Sequence, residues 1–320
     1  MNSLFITHAV RQCGVKEHGK RFVNAMVEHS PAQDVWSVAE ISSVDEITQA
    51  INYVNPDVTI INLHPMTIPT LPRTLNLGTK TKLVALPHEN LTLQGALTFK
   101  KVFPCFSAVL WQDPTLTESV HDVHLIPRLI PRFFRTRAKR CHEGPLVKVF
   151  GFGYGDKQPE LMVKTVEESF DNATIDGHFP KNEIADPDGT NGRIMINRLK
   201  AACKKNTKVV ASTEMLNGSY MSQNDLIQWL ADADINLCLH GGGTGIASTT
   251  DLMLAALVPF AVNDSPFFRH LPDYIKLRPG NNMVSIMQRG TKLWESLARE
   301  CWGPKTFADE VNKVLRGITQ

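Results

Sequence analysis

Short apolar runs alternate with helix-spaced segments in two successive series, and that alternation restricts the fold more than any other feature of this chain. The first series has strand-like runs at 3–10, 58–63, 83–86, 108–111 and 123–126. Between the first two lie a segment with Phe22, Val23, Met26 and Val27 on one helical face and a helix pattern at 45–54. The second series starts at 147–151. It runs through helices at 159–169, 193–203, 223–231 and 248–257, strands at 209–212, 235–240 and 260–262, and terminal helices at 294–302 and 307–315. Strands alternating with helices predict parallel sheets with crossover helices, so the expected class is α/β with two tandem Rossmann-like domains, 1–140 and 145–304. A C-terminal helix at about 305–320 is expected to pack back on the first domain. Ligands of such sheets bind beyond the carboxyl ends of the strands, which would face a central cleft between the domains.

A chain of 320 residues with 42% hydrophobic content can fill two cores. Its 34 basic and 32 acidic side chains give a formal charge of +2, which excludes a polyanion binder held by overall charge. The six cysteines are single, without metal-ligand spacing, and read as reduced thiols. No leader pattern opens the chain and no window reaches the apolar length of a membrane span, so the expected location is the cytoplasm.

Chemistry is expected first at His240-Gly241-Gly242-Gly243-Thr244-Gly245, followed by Ser248, Thr249, Thr250 and Asp251. Glycines between a strand and a helix start let the backbone approach a ligand and aim free N–H groups at it, which suits phosphate. The same residues could form a simple turn in which Ser248 caps the helix and Asp251 completes a capping box. A second glycine loop, Gly151 to Lys157, offers Lys157 to a diphosphate or leaves it as a surface lysine. Arg128, Arg132, Arg135, Arg137, Lys139 and Arg140 form a basic cluster in which Arg128, Arg132 and Arg135 are candidates for acceptor or phosphate contact. Asp186-Pro187-Asp188-Gly189 reads as a turn rather than a metal site, and no metal is expected.

These residues resemble the GT-B-fold glycosyltransferases, the large group with an N-terminal acceptor domain and a C-terminal nucleotide-sugar domain. Cys13-Gly14-Val15-Lys16-Glu17 looks like the opening motif of that group. LVALPHE at 83–89 looks like its strand ending in His-Glu, and DLIQWLADADINLCL at 225–239 like its helix, Ala-Asp and strand. GIASTTDLMLAALVPFAV at 245–262 looks like its donor segment. The resemblance implies a soluble, metal-independent hexosyl- or pentosyltransferase that needs no cofactor and uses a UDP-sugar, or a GDP-sugar, as donor. It places the diphosphate at Gly242, Gly243, Thr244, Gly245, Ser248, Thr249 and Thr250, the ribose at Asp251, and the base against Thr213 to Leu216. Lys157 would lie near the phosphates, Gly14 near the transferred sugar, and His240 is either a core histidine or a sugar contact.

The chain departs from the pattern of the retaining enzymes. Gly243 stands where the first of two glutamates would be, the second is Asp251 shifted by about one place, and Ala256 replaces a glycine. An inverting reaction would need a base, for which Glu17, His18, His88 and Glu89 are the candidates. The acceptor is left open among a glycan, a small molecule and modified DNA. A phage-type DNA glycosyltransferase and a non-catalytic nucleotide-sugar-binding protein are the alternatives, and a dehydrogenase is disfavoured by the lack of a Gly-x-Gly-x-x-Gly turn.

Overall fold

The computed structural model describes residues 1–10, 13–64, 81–88, 92–131, 143–184, 186–212, 215, 220–242 and 247–320. The chain divides into two compact units, Met1–Leu129 with Glu300–Gln320, and Ile130–Arg299.

The first unit carries strands β1 (Asn2–His8), β2 (Val35–Ile41), β3 (Val58–Leu63), β4 (Lys82–Pro87), β5 (Ala108–Trp111) and β6 (Val123–Leu125). They pair in parallel in the order β2-β1-β3-β4-β5-β6. The central strands are buried on both faces, which is why β3 reads as an unbroken run, VTIINL. β2 is an edge strand, with Val35 and Val38 more than half exposed. Helices α1 (Gly14–His29), α2 (Asp45–Val54) and α3 (Leu93–Val102) provide the crossovers. Asn55 ends α2 in the left-handed region just before Pro56, and the Thr92 hydroxyl caps α3 by accepting the Gly95 N–H at 3.1 Å.

The second unit carries β7 (Leu146–Phe150), β8 (Asn172–His178), β9 (Asn206–Ala211), β10 (Ile235–Cys238), β11 (Phe260–Asn263) and the two-residue β12 (Lys276–Leu277). The order β12-β11-β10-β7-β8-β9 is again wholly parallel. This is the doubly wound dinucleotide-type order, with its reversal between β7 and β10. Its helices are α4 (Pro159–Ser169), α5 (Thr190–Ala202), α6 (Gln223–Ala231), α7 (Thr249–Ala255), α8 (Met283–Arg289) and α9 (Lys292–Trp302), the last ending across the unit boundary.

The final helix, α10 (Pro304–Thr319), belongs to the first unit. Phe307, Val311 and Leu315 complete the core formed by Phe5, Phe22, Met26 and Ile60. The Phe307 ring meets Phe22 edge-on at 5.3 Å, and Arg316 bonds Asp34 at 2.7 Å.

Asp186 explains its own sequence. Its two carboxylate oxygens accept the N–H groups of Asn191 and Gly192 at 3.1 and 3.4 Å, so the turn caps α5. Replacing Asp186 with alanine is expected to cost about 1–2 kcal/mol, as for other buried caps, read as a lower urea midpoint.

Candidate functional site

At the reversal point of the second sheet, two loops leave adjacent parallel strands. The loop after β7 turns at Gly151, whose φ of +139° favours glycine, and it brings Lys157 back so that its Nζ would lie 3.0 Å from a Cβ placed there. The loop after β10 begins at His240, whose backbone is clamped by Asn263 through bonds of 3.0 and 2.8 Å. Gly241 N–H then bonds Asp156 O at 2.8 Å and ties the two loops together.

The side chains meet at the same place. Lys157 Nζ donates to His240 Nε2 at 3.2 Å, and Asp156 Oδ2 stands 2.9 Å from His240 Nδ1. Because an ammonium can only donate, Nε2 is the lone-pair nitrogen and the ring proton sits on Nδ1, which makes no hydrogen bond among the described residues although Asp156 stands close to it. Burial, reinforced by the Lys157 charge and opposed by Asp156, lowers the His240 pKa to about 4, so the ring is neutral at pH 7. Lys157 is 5% accessible, and no carboxylate lies within salt-bridge distance of it among the described residues. A buried ammonium whose one hydrogen-bonding neighbour among the described residues is a neutral ring still has donors for an anion.

In the first unit, the carboxyl ends of the strands carry a group of basic side chains. His8 ends β1, His64 follows β3, His88 follows β4, and α1 adds Lys16, His18 and Arg21. Asn62 orients His88. Its Nδ2 donates to Thr7 Oγ1 at 3.0 Å and to the Val15 carbonyl at 2.9 Å, which fixes the amide so that Oδ1 faces His88 Nε2 at 2.5 Å. Nε2 therefore carries the ring proton and Nδ1 keeps the lone pair. The His88 pKa is lowered to about 3, chiefly by burial, with His64, Arg21, Arg128 and His8 adding to it. His18 meets His88 edge-on at 4.7 Å and is also held well below the ordinary histidine value.

No protein-family model matches the chain, and no curated protein matches it in sequence. Solved structures do match in shape. HepE (Alr3699) of Anabaena, in complex with UDP-glucose, superposes with a TM-score of 0.66 at 8% identity, over 99% of this chain and 100% of that one. AviGT4, a glycosyltransferase involved in avilamycin A biosynthesis, gives 0.61 at 10% identity, over 100% and 98%. A glycosyltransferase from Rickettsia africae gives 0.60 at 8% identity, over 100% and 98%.

The fold is GT-B.

Within this fold the residues picked from the sequence fall in different surroundings. Lys157 and His240 are brought into contact and buried. Gly242 has a φ of +148° with open space where a Cβ would stand, and Ser248 and Thr249 keep exposed or half-buried side chains. Thr250 and Asp251 turn inward. The Thr250 hydroxyl is committed to the Ala247 carbonyl at 2.6 Å and lies 3.2 Å from His270 Nε2, and Asp251 is buried within α7. The capping box does not form, since Ser248 makes no side-chain cap bond.

Gly14 is exposed at the start of α1, and Glu17 lies in that helix paired with Lys20 at 2.8 Å. His18 and Arg128 are buried. Glu89, Arg132, Arg135, Thr213, Leu216, Gly243, Thr244 and Gly245 lie outside the described residues. Among the described residues, no group of His, Cys, Asp or Glu is placed to hold a metal ion, and no helix is long and apolar enough to cross a membrane.

His8, Arg21, Asn62 and Asp156 belong to no motif of the sequence. Asn62 had a signal, being a polar residue in a strand otherwise wholly apolar after Thr59. His8 and Asp156 gave none beyond lying at a strand end and in a glycine loop.

Proposed function

We propose that the protein is a glycosyltransferase that moves a sugar from a nucleoside diphosphate sugar, a UDP-sugar in the first place, to an acceptor hydroxyl. One observation carries the reading: a buried ammonium, Lys157, with no carboxylate within salt-bridge distance among the described residues, at the reversal point of a dinucleotide-type sheet. That is where such sheets bind nucleotides. UDP-glucose in the HepE structure of the same fold supports the choice of donor.

In the proposed reaction the bond from the anomeric carbon to the diphosphate oxygen breaks, and its electron pair goes to the leaving diphosphate. Lys157 meets the charge that builds up there, and neutral His240 keeps the ammonium in place without competing with the phosphate for it. Gly242 to Gly245, Ser248 and Thr249 are the proposed backbone and hydroxyl donors to the same phosphates, with Thr213 to Leu216 against the base. A new bond forms from the acceptor oxygen to the anomeric carbon. The acceptor proton passes to a base of the first unit, for which His88 Nδ1 has the lone pair.

A thermal-shift series with UDP, GDP, ADP and UDP-glucose tests the donor half. A ligand at about a hundred times its Kd stabilises the folded state by about 2.7 kcal/mol, so UDP and UDP-glucose are expected to raise the melting temperature by several degrees. A series in which none of the diphosphates shifts the transition would overturn the assignment.

A further inference from the structure

We propose that Asp156, Gln158 and His240 form a hydroxyl subsite, which holds two neighbouring hydroxyls on one sugar ring of the donor. The word donor rests on the transferase reading above; the atoms that define the subsite lie wholly in the second unit.

The subsite is built where Gly241 ties two loops together. Its N–H bonds the Asp156 carbonyl at 2.8 Å, and the Gln158 carboxamide lies against it, with Nε2 3.3 Å from where a Cβ would stand. Three side-chain atoms of this corner are shielded from water and have no hydrogen-bond partner among the described residues: Asp156 Oδ1, Gln158 Oε1 and His240 Nδ1. His240 is 8% accessible, and its Nδ1 carries the ring proton because Lys157 Nζ donates to Nε2 at 3.2 Å. Asp156 Oδ2 stands 2.9 Å from that nitrogen without completing it. A buried polar atom left unpaired costs more than a typical hydrogen bond contributes, so three of them in one corner point to a group that pairs them.

Counting donors and acceptors selects that group. One donor and two acceptors are open. A phosphate or carboxylate at neutral pH brings acceptors only, and it would meet the Asp156 carboxylate as a like charge. A cation brings nothing for Nδ1–H and would meet the Lys157 ammonium. A hydroxyl does both jobs: its oxygen accepts from Nδ1–H while its proton goes to a carboxylate or amide oxygen. Two hydroxyls on adjacent carbons supply protons for Oδ1 and Oε1 and a lone pair for Nδ1, which satisfies all three atoms. The ribose of a nucleoside diphosphate sugar and the ring it transfers both carry such pairs, and both flank the diphosphate that Lys157 is proposed to meet. The cationic and the hydroxyl-binding sides of the site thus come from adjacent residues of one loop, Lys157 on one side and Asp156 with Gln158 on the other.

The test is calorimetric titration of the full chain with 2′,3′-dideoxy-UDP, UDP, UDP-glucose, UDP-galactose and UDP-xylose, on the native sequence and on Asp156→Ala. The variant is expected to weaken ligands that carry the recognised hydroxyls by about tenfold or more, and to leave ligands that lack them unchanged. If the ring is the ribose, UDP and the UDP-sugars weaken while dideoxy-UDP does not. If it is the transferred ring, at least one UDP-sugar weakens while UDP and dideoxy-UDP do not. A purely structural role for Asp156 would weaken every ligand alike, so the comparison works as a cycle between side chain and hydroxyl. Should Asp156→Ala fail to fold, Gln158→Met, which keeps the side-chain length without the oxygen, gives the same readings. Equal weakening of all the ligands, or no weakening of any, would overturn the proposal and leave water as the occupant of the corner. That result with UDP still bound would sink this inference alone; a native chain that binds neither UDP nor any UDP-sugar would sink the transferase reading and this one with it.

Discussion

Replacing Lys157 with methionine is expected to lower the turnover of the proposed sugar transfer by about 10²–10³ while leaving the folded protein at least as stable as before. The two halves of this expectation come from one fact, the burial of an ammonium with no carboxylate within salt-bridge distance among the described residues. A preorganised donor facing a developing oxyanion contributes about 3–4 kcal/mol to the transition state, and methionine keeps the length of the side chain without the charge. In the folded protein without ligand, that charge has been withdrawn from water for little return, so its removal relieves a desolvation cost. Initial rates of UDP release and a urea melt on the same sample check both. A third readout is internal: without the Lys157 charge, the His240 pKa should climb from about 4 toward its ordinary value. A variant that transfers sugar at the native rate, or one that unfolds, would make Lys157 a structural residue.

How much of this was legible in the sequence depends on what each element is buried against. β1, β3, β4, β5, β7, β10 and β11 sit inside parallel sheets and show themselves as apolar runs. β2 gives no such signal because an edge strand need not be apolar; VWSVAEI leaves Val35 and Val38 in water. β8 is hidden for a different reason. NATIDGH places Asp176 inside the sheet, where Lys148 of β7 stands 3.8 Å away and also bonds the Trp229 carbonyl at 2.5 Å, a compensation no local pattern reveals. The glycine loop after β10 was legible because glycine between strand and helix has a backbone meaning of its own. The contact of Lys157 with His240 was not, since it joins residues 83 apart in sequence through the pairing of β7 with β10. Local spacing gives the loops their conformations, but strand order decides which loops become neighbours.

The histidines left neutral inside the first unit should make it sensitive to acid. Between about pH 7.5 and pH 5 its unfolding free energy is expected to fall by at least about 4 kcal/mol. The sign follows from which state takes up protons. In the unfolded chain, His8 and His88 titrate near the ordinary value of 6.5, whereas in the folded protein they remain neutral down to about 4 and about 3. Over that window only the unfolded state gains protons, so each ring's contribution is present above about pH 6.5 and is lost as the pH falls toward its folded value. Each accounts for about 2 kcal/mol by pH 5, and His18, displaced in the same direction, adds to the loss. In the second unit, His240 should act alike, and through that single ring the unit should lose about half as much. Urea melts at several pH values check this, with the slope of free energy against pH near about 2.7 kcal/mol per unit for two protons. A profile flat from neutrality to pH 5 would mean that the rings are solvated and titrate normally.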